Sequence, residues 1–351
     1  MTGRRTIVLR LLTLVLIACI PLSCQAPPPA VEIGMTMHSR GADTAAIKRQ
    51  FNLMKAMSVT WVRVDLDWSI AETEPGQFNW DYPDTIVAEA AARGMKVLGV
   101  LAFSPEWARP AIKGDSPTAR HSRPEQLSDW ASFARVVTER YASRGVHTWE
   151  IWNEPNTSKF WPPRPDVNEY GTLFWVAAEA IRSVDQQATI LIGGLAPKFH
   201  VPDAEIRPTA YLEQLYQNGA IRLADGIAVH PYTFPVLPMD TPQRSIDGFR
   251  DLPALRAIME SHGDGGKKVW ITEFGAPTGT GPHAVSDGAQ ATTLLQARRQ
   301  VQKWDWAGPL IYYELVDGGT DPTDVEQNFG VLRQDLSPKP AADALMDLAG
   351  N

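Results

Sequence analysis

From residue 31 onward, short β-branched apolar runs alternate with longer segments whose apolar residues recur at helical spacing. The short runs predict strands at Ile33–His38, Thr60–Leu66, Lys96–Ala102, Thr148–Trp152, Thr189–Gly194, Gly226–His230, Lys268–Glu273 and Leu310–Leu315. Helices are expected over Ala45–Met57, Asp84–Ala92, Gln126–Ser143, Asn168–Val184, Thr209–Asn218, Leu252–Ser261 and Gln290–Trp304, with a last one over Ala341–Leu348. Eight successive strand-plus-helix units predict an α/β fold of the (β/α)8 barrel type. A doubly wound open sheet shares the alternation, but it usually brings a phosphate-binding glycine loop after an early strand. Gly193-Gly194 and Gly263-Asp264-Gly265-Gly266 lack that spacing and read as turns. No repeat or linker divides this body, so residues 32–351 are expected to form one domain.

Strand parity adds chemistry. In Val62-Arg63-Val64-Asp65-Leu66-Asp67, apolar and charged residues alternate. One face of a barrel strand meets the helices and the other meets the interior. Val62, Val64 and Leu66 should therefore pack under helices while Arg63 and Asp65 point inward. Charges there are costly unless paired, which suits the floor of an active site. An edge strand with one solvated face would show the same alternation.

The N-terminus has a different character. Arg4, Arg5 and Arg10 precede the apolar run Leu11–Ile20, followed by Pro21 and the Pro-rich stretch Pro27–Pro29. Residues 1–24 read as an export signal and 25–31 as a tether, since ~10–14 apolar residues are short for a membrane span. A retained anchor helix is the alternative. Both cysteines, Cys19 and Cys24, fall in this leader, so no disulfide or Cys-ligated metal is expected in the folded body. Leu16-Ile17-Ala18-Cys19 resembles a bacterial lipobox. Pro21-Leu22-Ser23-Cys24 matches less well but is followed by a typical tether, so lipidation at Cys19 or Cys24 is expected.

Composition narrows the partners. With 33 Lys plus Arg against 40 Asp plus Glu, the formal charge of −7 argues against nonspecific nucleic-acid binding, which needs clustered cations. The chain holds 12 Trp, and Trp-rich clefts suit flat, partly apolar ligands such as sugars. The histidines show no paired metal-ligand spacing, so neither a catalytic metal nor a cofactor is expected. Asp317, Asp321 and Asp324 lack calcium-loop spacing and read as a solvated loop.

Two segments carry candidate catalytic groups. Trp149-Glu150-Ile151-Trp152-Asn153-Glu154-Pro155-Asn156 sets Glu154 at the C-terminal end of the fourth strand. Trp270-Ile271-Thr272-Glu273-Phe274-Gly275 sets Glu273 at the end of the seventh. Barrels of this kind place catalytic groups at that face. Two carboxylates converging there can divide glycoside hydrolysis, one protonating the leaving oxygen and the other attacking the anomeric carbon. Glu150, sharing parity with Glu154, is expected below it as an ion-pair partner of Arg63.

With His230-Pro231-Tyr232 after the sixth strand, and with Phe329-Gly330-Val331-Leu332, Asp335 and Pro338-Lys339-Pro340-Ala341 near the end, these segments resemble the clan A glycoside hydrolases. Within that clan the chain is most similar to family 39 and the PslG-type exopolysaccharide glycosidases, with family 5 nearby. The resemblance implies a retaining β-glycosidase with Glu154 as acid/base and Glu273 as nucleophile, their carboxyl groups roughly 5–5.5 Å apart. It implies that Asn153 binds the 2-hydroxyl of the sugar being cleaved, that Arg63 and Tyr232 hold Glu273 ionised, and that His38 and His230 line the same subsite. The expected partner is an extracellular polysaccharide or oligosaccharide cut internally by a monomer. An exo-acting β-xylosidase or β-glucosidase, or a non-catalytic carbohydrate-binding barrel, are the other readings.

Aromatic residues near strand ends are candidates for sugar stacking: Trp68, Trp107, Phe160, Trp161, Tyr232, Phe234 and Tyr313. Trp161 follows Glu154 closely and is expected on the leaving-group side. The Pro-containing segment Ser104–Pro124 reads as a substrate wall or lid. Two departures from the family pattern stand out: no room for the β-sandwich often attached to family 39 barrels, and Tyr312-Tyr313 where the eighth strand commonly presents Trp.

Overall fold

A computed structural model describes residues 31–110, 118–198, 205–240 and 247–349; the leader, with Cys19 and Cys24, lies outside them. Eight parallel strands close a barrel in chain order. They are β1 (Ile33–Thr36), β2 (Trp61–Asp67), β3 (Lys96–Ala102), β4 (Thr148–Asn153), β5 (Thr189–Gly194), β6 (Gly226–Val229), β7 (Lys268–Phe274) and β8 (Ala307–Tyr312). β8 pairs back onto β1, Gly34 lying beside Ile311. Helices between strands include α1 (Thr44–Ala56), the short α2 (Trp68–Ala71), α3 (Asp81–Ala91), α4 (Leu127–Tyr141) and α5 (Val167–Val184). The remaining ones are α6 (Pro208–Gln217), α7 (Leu252–Ser261), α8 (Asp287–Val301) and α9 (Pro340–Ala349).

The (β/α)8 reading from hydrophobic alternation therefore holds, and two helix starts move where capping chemistry outweighs periodicity. Ser286 accepts a hydrogen bond from Ala289 N, so α8 starts earlier than its apolar pattern suggests. Asp166 caps α5 through Asn168 N and Glu169 N. β8 differs most: it starts three residues ahead of the expected Leu310, because Ala307 pairs with Val269 of β7, and it ends at Tyr312 rather than Leu315.

Parity works as expected. Val62, Val64 and Leu66 belong to the large apolar layer between barrel and helices, while Arg63 is buried inside the barrel. The interior is sealed at its lower end by Trp61, Leu98, Leu191, Ala228, Trp270 and Ile311. Above this plug the interior turns polar, with Arg63, Glu150, Thr272 and His230 all buried. Apolar burial thus closes the bottom of the barrel and leaves the C-terminal end for chemistry.

One glycine is required by this packing. A Cβ on Gly194, the last residue of β5, would stand 2.0 Å from His230 Nε2, while Gly194 N donates to Glu150 Oε1 at 2.9 Å. Gly194→Ala is therefore expected to displace the imidazole and to cost about 1–3 kcal/mol, the usual penalty of overpacking. Urea denaturation of wild type and variant checks this; an unchanged midpoint would refute the contact.

Candidate active site

Arg63 organises the floor. Its Nε and Nη2 donate to the two oxygens of Glu150 at 3.0 and 3.2 Å, its Nη1 to Glu273 Oε1 at 2.6 Å, and Nη2 also to Asn153 Oδ1 at 3.0 Å. Buried cations survive only when such partners replace water, and removing one partner typically costs ~3–5 kcal/mol. Burial alone would favour neutral Glu150, yet the Arg63 charge and the His230 and Arg63 hydrogen bonds outweigh it and hold that carboxyl down at about 2. The expected Glu150–Arg63 pair is present, and Arg63 lies beneath the cleft with its donors committed to carboxylates and an amide.

Glu273, at the end of β7, receives a second donor, Tyr232 Oη at 2.8 Å from Oε2. Glu154 leaves β4 in a left-handed conformation, φ 43°, two residues after Trp152 at φ 72°. Such conformations cost roughly 1–3 kcal/mol each and persist where surroundings enforce them. Here Glu154 N donates to Gly194 O, and Glu154 O accepts from Thr157 N and Oγ1. Asn156 completes the lock, donating to Ala196 O and Ile206 O while accepting from Ala196 N. That role for Asn156 has no period or charge signal in the sequence; only its place after the Asn-Glu-Pro motif hints at it.

His230 links the carboxylates. Its Nδ1 lies 2.9 Å from Glu154 Oε1 and 3.5 Å from Glu273 Oε2, and Nε2 lies 3.2 Å from Thr272 Oγ1. Burial would lower its pKa, but the Glu273 charge and the hydrogen bonds to Glu150 and Glu154 push it up to about 9. Oxygens of Glu154 and Glu273 and a nitrogen of His230 fall within 4.8 Å of one another, the one three-donor constellation of metal-binding type among the described residues. Its donors are already engaged, and Arg63 stands 2.6 Å from Glu273. A hydrogen-bonded acid–base cluster accounts for the arrangement better than a cation site.

These groups open into a cleft of about 810 Å³. One wall carries the ring stack Phe103–His121–Phe160, with centroids 4.7 Å apart at each step. His121, whose Nδ1 donates to Lys159 O at 2.7 Å, is pushed down to about 4 chiefly by burial, so this ring is uncharged at neutral pH. The facing wall carries Tyr232, Phe234, Tyr313 and Phe329, in edge-to-face contact. At its rim His38 bridges Glu314 Oε2 at 2.8 Å and Asp65 Oδ2 at 3.3 Å. Desolvation opposes the charged imidazole, but these two carboxylates more than offset it and raise His38 to about 10. Above the mouth, Lys159 after β4 and Glu326 after β8 meet at 3.6 Å.

The structure thus brings Glu154, Glu273, Asn153, Tyr232, Tyr313 and His38 to one cleft. Arg63 and His230 sit beneath it and act through the carboxylates. Three expected sugar-stacking residues are elsewhere. Trp161 is 1% exposed and packs edge-on against Trp152 and Tyr170 in the core, because its loop folds back through Trp161 N to Thr157 O. Trp107 packs on Trp68 and donates to Glu72 O, away from the cleft. Trp68 itself is fully buried, whereas Phe160 and Phe234 do line the cleft. Of the segment Ser104–Pro124, residues 111–117 lie outside those described. The Asp317–Asp324 loop uses its carboxylates locally: Asp317 pairs with buried Lys339 at 2.7 Å, Asp321 accepts from Thr323, and Asp324 caps Glu326 N.

A parallel barrel with two carboxylates at the C-terminal ends of β4 and β7 defines the architecture of carboxylate-pair glycoside hydrolases. The family model described as cellulase (glycosyl hydrolase family 5) matches residues 30–308, and the chain belongs to that family. It is 31% identical over 132 residues to a β-xylosidase of Geobacillus stearothermophilus, covering 34% of this chain and 24% of that one. Among solved structures it is similar to a family 39 glycoside hydrolase from Bacteroides cellulosilyticus WH2, with TM-score 0.70, 24% identity, and coverage of 91% of this chain and 63% of that one. A monomeric β-xylosidase from Caulobacter crescentus CB15 gives TM-score 0.70 at 17% identity, covering 92% and 69%. The chain spans about a quarter of its curated relative's length, and the structural likeness shows the shared barrel.

The two raised imidazoles make stability pH-dependent. Their folded pKa values of about 9 and 10 lie above the unfolded value near 6.5, so their contribution is complete below about pH 6.5 and is lost as pH rises through about 9–10. Urea midpoints should fall across that window, and His38→Gln should flatten the upper part of the fall.

Proposed function

We propose that the protein is a retaining β-glycosidase that cleaves O-glycosidic bonds of an extracellular polysaccharide by double displacement. The observation that carries this reading is the approach of Glu154 and Glu273 oxygens to within 4.8 Å of each other across a sugar-sized cleft. Inverting enzymes hold their carboxyl groups roughly 6.5–9.5 Å apart to admit a water, whereas retaining ones keep them at about 5–5.5 Å.

In the first step Glu273 attacks the anomeric carbon and the leaving oxygen departs with the proton of Glu154. Arg63 and Tyr232 point two donors at Glu273, which orients it as an acceptor and nucleophile. In the second step Glu154, now a carboxylate, takes a proton from water as that water displaces Glu273 from the sugar. Asn153, whose Oδ1 is held by Arg63, keeps its amide N–H groups available to the 2-hydroxyl. The rings of Tyr313, Phe234 and Phe160 offer faces or edges to sugar C–H groups. A binding barrel has no need for a carboxylate pair supported by a buried guanidinium, a phenol and an imidazole.

Glu154→Gln and Glu273→Gln should each reduce hydrolysis of nitrophenyl β-glycosides by at least about two decades, the scale lost with an acid/base or nucleophile. Proton NMR of early product should show the β-anomer. If every glycoside is untouched while one binds wild type and both variants equally, the barrel is a receptor.

The export signal and lipobox-like cysteines support action outside the cytoplasm as a lipid-anchored monomer. No helix among the described residues is long and apolar enough to cross a membrane. Replacing the lipidated cysteine, Cys19 or Cys24, by Ser should move the protein from the membrane to the soluble fraction; soluble wild-type protein would end the anchor reading.

A further inference from the structure

Two charged side chains of the cleft touch each other across it. Lys159 follows β4 and Glu326 follows β8, and Nζ of the first lies 3.6 Å from Oε1 of the second. In a barrel closed in chain order, β4 and β8 are separated by three strands in either direction, so they stand diametrically opposite. A contact between the loops that follow them therefore spans the mouth of the barrel. Both residues also line the cleft that holds Glu154 and Glu273. Lys159 belongs to the wall of Phe160, with Nζ 5.0 Å from that ring centre, and Glu326 lies three residues before Phe329 of the facing wall.

The backbone under each end is fixed, and the span between is side chain alone. Lys159 O accepts from His121 Nδ1 at 2.7 Å, and the next carbonyl, Phe160 O, accepts from Trp152 Nε1 at 2.8 Å. On the other side Glu326 N donates to Asp324 Oδ1 at 3.0 Å, at the start of the helical turn Val325–Gln327. Asn328 Nδ2 closes the same loop by donating to Asp321 O at 2.7 Å and Asp324 O at 2.6 Å. Two long side chains, each mostly in solvent, thus reach from fixed posts. Rotation about side-chain bonds is enough to open the span. Exposed pairs of this kind shift an equilibrium by no more than about fivefold, so open and closed forms are both populated.

The consequence is steric. With the span closed, a ligand reaches the carboxylates only by passing beneath it, as a short glycoside or a chain end can. The interior of a long chain has no end to pass through and must be laid in from above, which requires the open form. We infer that Lys159 and Glu326 form a specificity-determining strap across the catalytic cleft, one that favours short glycosides and chain ends over the interior of a polymer. The inference rests on the glycosidase reading and deepens it, since the strap sets how often internal bonds are reached.

The test compares, for the full chain, kcat/KM on xylan and swollen cellulose with kcat/KM on nitrophenyl β-xyloside and β-glucoside. For the sugar that is accepted, Glu326→Lys replaces attraction by repulsion and should raise the polymer-to-nitrophenyl ratio by about two- to fivefold. Lys159→Glu should do the same. Joining both substitutions in one chain restores opposite charges and should return the ratio to the wild-type value, which a loosened fold or a disturbed wall would not do. A ratio that falls in both single variants would mean that these side chains hold the polymer instead of barring it. That result, an unchanged ratio, or a joint variant that fails to restore the ratio would each overturn the strap. The contact is also read without any sugar: limited acetylation followed by peptide mass spectrometry should modify Lys159 at least about twofold more slowly in wild type than in Glu326→Gln. Equal rates would end the strap whatever the enzyme acts on. If no glycoside is cleaved, the glycosidase reading falls by itself and this labelling decides the strap separately.

Discussion

Everything at the top of this barrel depends on a guanidinium with no access to water. Arg63 carries its charge into the interior and obtains in exchange the two oxygens of Glu150, one oxygen of Glu273 and the amide oxygen of Asn153. A flexible ammonium could satisfy the same net charge, but it has no planar fork able to fix a carboxylate from β4 and another from β7 at once. The side chain is therefore a spacer as well as a counter-charge. It sets the distance between opposite walls of the barrel and fixes the rotamer of the group that attacks the sugar. Desolvation makes such a cluster a doubtful source of stability. Its value lies in geometry.

The apolar plug beneath explains how this is tolerated. Trp61, Trp270 and their neighbours close the lower interior without polar demands, and the large aromatic layer of Trp68, Trp130, Phe133, Trp152 and Tyr170 joins barrel to helices on one side. With folding energy concentrated there, the upper barrel can hold left-handed backbone at Trp152 and Glu154 and a network of opposed charges. The same division accounts for the cleft walls, which are aromatic but belong to loops and strand ends rather than to the core.

Much of this was legible in the chain. Strand and helix periodicity defined the barrel because both periods were long and uninterrupted, and alternation in β2 placed Arg63 and Asp65 on the interior face. The positions of Glu154 and Glu273 at strand ends followed from the same pattern. What sequence could not supply was the path of loops. Trp161 looked like a substrate contact because it lies seven residues beyond Glu154, yet a single backbone hydrogen bond to Thr157 turns it into the core. Glu314 and Asp65 converge on His38 from the two sides of β1, and the β8 side is brought there only by closure of the barrel, which no local spacing announces. The Asn156 lock spans three loops for the same reason.

The contrast between the floor and the mouth of the cleft has a consequence for how the site meets its environment. The Arg63–Glu150 pair at the floor is sealed from solvent, so mobile counterions, which act over roughly 8–10 Å through water at ordinary salt, do not reach it. The Lys159–Glu326 bridge lies in solvent, with 58% and 64% of the two side chains exposed, and exposed pairs of this kind are worth about 0–1 kcal/mol. Ionic strength therefore acts first on the entrance and least on the guanidinium beneath it: brine loosens the doorway of the site while the Arg63–Glu150 pair keeps its spacing.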